Sequence, residues 1–180
     1  MKKAFTILEL VLVIVVIAII TALAFPKTDN NSVADASIKL TSHIRYAQHL
    51  SLVNDKFSIG DADWYKNRWQ IVFTGNKYSV VSNNNTTYAK DTEKNGREIK
   101  DIDLDAEYSV SVSFSGGCAG ENIISFDNVG RPFIGDLSTS TSAYTAGKLL
   151  STPCVITLSN PSQQDINITI MQESGYVSRN

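Results

Sequence analysis

Hydrophobic positions fall along this chain in three regimes: continuous, then helically spaced, then alternating. From Phe5 to Phe25 only Thr6, Glu9 and Thr21 are not plainly apolar. As one helix, this run of 21 residues rises about 31 Å, close to the roughly 30 Å hydrocarbon core of a bilayer. Lys2 and Lys3 precede the run and hold that end on the cytoplasmic side, so the remainder faces outward. After Pro26, Val33, Ala36, Leu40, Ile44, Ala47 and Leu50 recur at three- and four-residue steps, the mark of an amphipathic helix. Pro26 predicts a kink, and Ser32 with Asp35 predicts a capping box at the restart. If the two parts stack, residues 5–53 form a helix about 74 Å long.

Beyond Val53 the period becomes two. Residues 69–74 (WQIVFT) and 77–82 (KYSVVS) predict a hairpin around Gly75-Asn76. Residues 83–96 read as a polar loop. Ile102, Leu104 and Ala106 alternate with Asp101, Asp103, Asp105 and Glu107, and Val110, Val112 and Phe114 alternate with serines. Residues 123–126, 132–134, 155–158 and 166–170 complete a mostly antiparallel head with one packed and one solvated face. Asp127 to Gly130 read as a turn, Ser138 to Ser142 as loop, and Trp69 as core.

Composition matters here because it is uneven. Over 180 residues the hydrophobic share is 43% and the charged share 19%, too apolar for a disordered chain. Past Thr28, 13 basic against 17 acidic residues leave a net charge of −4. Such a body gives no electrostatic reason to bind nucleic acid or an anionic membrane.

Glu9 is the residue that needs a reason. A carboxylate within a membrane span is expensive, and it marks function by default. Ala22-Leu23-Ala24 does resemble a secretory cleavage site, but a discarded signal gains nothing from an embedded acid and predicts no helix after Pro26. Cutting between Ala4 and Phe5 frees an α-amino group four residues before Glu9, on the same helical face. An amide before the cut becomes an ammonium after it, so trimming itself supplies the counter-charge.

The order Lys2, Lys3, Ala4, Phe5, Thr6, Ile7, Leu8, Glu9, Leu10, followed by the apolar run, resembles the type IV pilin superfamily. That resemblance implies cleavage at Ala4/Phe5 by a prepilin peptidase, N-methylation of Phe5, and Glu9 as the assembly glutamate. Pro26 stands where pilin helices often carry a proline; Ala4 stands where the family usually has Gly. Ile44 to Gln48, Trp69 to Phe73, Ile124 to Pro132 and Ser174 to Val177 are similar to a narrower branch, the H-type minor pseudopilins of type II secretion and fimbrial minor pilins of the T type.

The expected fold is therefore α+β and pilin-like: leader 1–4, transmembrane or filament-core helix 5–26, amphipathic half 27–53, and a periplasmic β head 54–180. The expected role is a minor pilin or pseudopilin anchored by one pass in a bacterial inner membrane and then drawn into a filament. Its implied partners are the peptidase, other subunits, the inner-membrane assembly platform and lipid. The alternatives are a DNA-capturing tip pilin and an anchored β-domain with no filament role.

Little else promises chemistry. Cys118 and Cys154 lie in a part expected outside the cytoplasm, where they form either a disulfide or two buried thiols; without a C-x-x-C partner they suggest no metal or redox role. His43 and His49, six apart, diverge by about 120° on a helix and share no metal. The glycine-rich 116–120 reads as a turn rather than a phosphate loop. The acidic ladder at 101–107 reads as a solvated strand edge rather than a calcium site. Asp165 to Thr169 fits an extended N-glycosylation sequon that strand packing already explains. No enzyme and no cofactor is expected.

Overall fold

The apolar stripe of the second helix organises the head. The structure, a computed structural model, describes residues 7–24, 31–91 and 95–180. The chain is mixed α+β, with antiparallel sheets and an N-terminal helix. It divides into two compact units, Met1–Asn30 and Asn31–Asn180. The expected kink at Pro26 lies outside the described residues, as do Ala4 and Phe5.

The first unit contains α1 (Ile7–Ala24). Twelve large apolar side chains between Ile7 and Ile20 are 44–85% exposed. Thr21 satisfies its hydroxyl by donating to the Ile17 carbonyl one turn back. Among the described residues no helix is long and apolar enough to cross a membrane. At 18 residues, α1 rises about 27 Å and covers all but the ends of the apolar run.

The second unit begins with α2 (Ser32–Val53). Val33, Ala36, Leu40, Ile44 and Ala47 are buried as their spacing predicts. The expected capping box is absent. Asn31 is the N-cap residue and makes no side-chain cap bond. Gln163 comes from 130 residues away instead, accepting from the Val33 N–H at 3.1 Å and donating to Ser32 Oγ at 3.1 Å. A long-range amide thus satisfies an orphan donor that no local residue reaches.

One sheet runs β3-β2-β1-β8-β9. Here β1 is Gln70–Thr74, β2 Lys77–Ser82, β3 Thr87–Tyr88, β8 Ile123–Phe126 and β9 Pro132–Ile134. The hairpin forms around Gly75-Asn76 as expected, with Thr74 opposite Lys77 and Gly75 at a φ of +60°. The second sheet is β12-β11-β10-β7, with β7 Ser111–Gly116, β10 Cys154–Ser159, β11 Ile166–Ile170 and β12 Val177–Arg179. Strands from both sheets contact α2. Phe73, Ile71, Phe126, Ile156 and Ile168 join its stripe in one core. Cys118, in the turn after β7, is bonded to Cys154 at the start of β10, closing a separation of 36 residues.

Two further sequence expectations are corrected. The polar stretch 83–96 contributes β3 and β4 (Lys90–Asp91), and β4 pairs with β5 (Arg97–Glu98). The acidic ladder is not a strand: only β6 (Ile102–Asp103) is extended, and Leu104–Tyr108 forms a short helix, α3. Asp103 caps it by accepting from the Ala106 N–H at 3.0 Å, which outweighs a three-step alternation. Glu107 reaches Lys39 on α2 at 2.5 Å.

Removing the disulfide by Cys118→Ala/Cys154→Ala should lower stability by about 3–4 kcal/mol, from the restored loop entropy, read as a shift in denaturation midpoint against the oxidised chain. The Ala106 bond, and then Lys77, hold the Asp103 carboxyl below the usual range. A depressed value stabilises above the unfolded-state pKa of about 3.9 and is lost as pH falls through the lower folded value. The protection factor of the Ala106 amide, its exchange rate taken relative to the unfolded chain at the same pH, should therefore hold down to about pH 4 and fall only below it.

Candidate functional site

Two features of the structure carry functional information: the acid on α1, and a junction where separate sequence motifs meet. Glu9 sits in the first turn of α1, with its side chain exposed among the apolar residues of that helix. Burying twelve such half-exposed side chains is worth on the order of 10–20 kcal/mol, comparable with the whole stability of a domain.

The junction is built by Gln48 on α2. Its Nε2 donates to the Gly130 carbonyl at 2.9 Å and to the Ser174 carbonyl at 3.0 Å. One amide thereby joins three stretches singled out separately in the sequence: 44–48, 124–132 and 174–177. Asp127 is fully buried and shapes the middle stretch. Its Oδ1 accepts from the N–H groups of Val129 (3.1 Å) and Arg131 (2.8 Å), and Oδ2 accepts from Arg131 Nε (2.8 Å). Glycine is required twice. Gly130 and Gly175 have φ of +84° and +64°, and a Cβ on Gly175 would collide with the Gly130 carbonyl and Gln48. Arg45 adds a third tie, Nη2 donating to the Val177 carbonyl at 2.7 Å. Trp69, in the remaining stretch, is buried. It donates from Nε1 to Asn54 Oδ1 at 3.3 Å, and its carbonyl accepts from Phe126. Around the junction Leu52, Val129 and Tyr176 are exposed.

Other candidates have structural settings. His43 is buried: Nδ1 shares a 2.8 Å hydrogen bond with Tyr78 Oη, and Nε2 lies 3.8 Å from Asp91. Burial pushes the Tyr78 phenol well above its ordinary value, so it stays protonated. His49 is exposed on α2. Asn167 lies within β11, where its Oδ1 accepts from Thr157 and its N–H pairs with Asn180. Gly116 and Gly117 pack against the backbone at Thr152 and Pro153. Among the described residues no group of three or more His, Cys, Asp and Glu is placed to hold a metal.

Sequence reasoning missed Arg68, which is 3% exposed. Its guanidinium lies 4.7–5.2 Å from the ring centroids of Trp64, Phe133 and Tyr144, and Nη1 donates to the Ala143 carbonyl at 3.0 Å. Burial lowers its pKa. No spacing in the sequence announces this cage, because its rings come from three separate segments.

Fold and site together define an α+β chain with an uncovered apolar helix ahead of a disulfide-linked antiparallel head. No family model, curated protein or solved structure matches it.

Gln48→Leu should release both turns at once. The expected result is a loss of about 1–3 kcal/mol, with hydrogen exchange quickening at residues 127–131 and 172–176 together while β1 and β10 stay protected.

Proposed function

We propose that the chain is a minor pilin-like subunit, a pseudopilin or fimbrial minor pilin, inserted in a bacterial inner membrane, trimmed at Ala4/Phe5 and assembled into a filament. The observation that carries this reading is α1: apolar on all sides, uncovered, and bearing Glu9 in its first turn. Lipid covers such a helix before assembly, and the helices of neighbouring subunits cover it afterwards. A carboxylate entering a dry bundle needs a cation beside it, and the trimmed Phe5 ammonium, its own or a neighbour's, provides one. A subunit still carrying its leader has an amide there and is excluded. Trimming thus licenses assembly.

The head supports a structural role over capture of DNA. Lys39, Lys66, Lys77 and Arg131 are each paired with a carboxylate, and Arg68 is buried. DNA binding needs cations free to meet phosphates.

N-terminal sequencing of the mature chain should begin at N-methylated Phe5; a start at Met1 or Phe25 contradicts the reading. Glu9→Val should insert in the membrane and keep the head's melting temperature, yet co-purify with filaments at least tenfold less than the unaltered chain. Undiminished incorporation of that variant would sink the electrostatic mechanism.

A further inference from the structure

The face of β1 and β2 turned away from the core holds a cavity of about 170 Å³. Val72 and Val81 give it an apolar base, and Tyr88 on β3 gives it an aromatic wall. Lys77 is neutralised by Asp103 at 2.9 Å, and Lys100, next to Asp101 in the chain, holds its Nζ 4.8 Å from the centroid of the Tyr88 ring. The polar groups have definable spare valences. Asn85 Oδ1 accepts from Gln70 Nε2 at 2.7 Å, which leaves its NH2 to donate. Asp101 donates its backbone N–H to Ser79 Oγ at 2.8 Å, and its Oδ1 meets that hydroxyl at 3.4 Å, which leaves Oδ2 to accept. Asn85 and Asp101 both hold left-handed backbones, with φ of +65° and +48°. Strained residues of this kind are often retained where a site depends on them.

A donor, an acceptor, an apolar base and a ring wall, with the Lys100 ammonium to balance the Asp101 carboxylate and room for one six-membered ring, define the ligand. We propose that this cavity binds a single uncharged sugar residue. Its apolar face lies on Tyr88, and neighbouring hydroxyls bridge the Asn85 amide and the Asp101 carboxylate.

The test is saturation-transfer NMR on the full chain in a zwitterionic detergent, since sugar-headed detergents compete. The probes are N,N′-diacetylchitobiose and methyl α-glucopyranoside. Transfer to ring protons of at least one probe is expected, with a Kd on the order of 1 mM. Tyr88→Leu, which keeps bulk and removes the ring, should weaken binding at least tenfold, as should Asp101→Asn; Tyr176→Ala, away from the cavity, should not. Melting temperatures within a few degrees of the parent show that the variants are folded. Absence of transfer to both probes overturns the proposal, as does transfer unchanged in Tyr88→Leu. So does Tyr88-dependent binding of an uncharged peptide such as Ac-Gly-Asn-Thr-Gly-NH2 in place of either sugar.

Discussion

The contact between the α2 stripe and two sheets is what the rest of the head hangs on. Neither sheet closes on itself, and each has one apolar face that must be covered. Leu40 and Ile44, fully buried, stand where strands of both sheets approach the same helix. Because α2 is shared, the ends of the chain are coupled through it. Gln163 closes its N-terminal end, Gln48 gathers two turns near its C-terminal end, and Arg45 holds the start of the last strand. The head reads less as a sheet sandwich than as two sheets sewn to one rod.

What was legible in the sequence had local causes. The hairpin at Gly75-Asn76 follows from turn chemistry flanked by alternation, and the α2 stripe from its 3.6-residue period. Illegible features had causes distant in the chain, or two local signals in conflict. Leu104 to Tyr108 satisfies both alternation and helix propensity, and the Asp103 cap decides between them. Gln163 gives no hint in its own neighbourhood that it serves a helix start 130 residues earlier. Strand β12 is too short for a period to show. The junction motifs were visible one by one, but their convergence was not, since a single glutamine amide accomplishes it.

The two units contrast in how their apolar surface is treated. In the head, large side chains such as Phe73, Phe126 and Phe133 are covered by the chain itself. In α1, comparable apolar surface is left for other molecules to cover. The same chain thus covers its large side chains in the head and leaves those of α1 exposed. Glu9 is the one acid in α1 and lies in its first turn.

The cross-link from Cys118, just past β7, to Cys154 on β10 bears on how the head carries load. Tension that enters the head through α2 meets a fold already closed by that bond. Covalent closure between Cys118 and Cys154 keeps the 36-residue interval from paying out, which removes roughly 120 Å of extensible contour. The tether therefore stays short under tension, and β8 and β9, which lie inside that interval, cannot be drawn out as a straightened thread from either end.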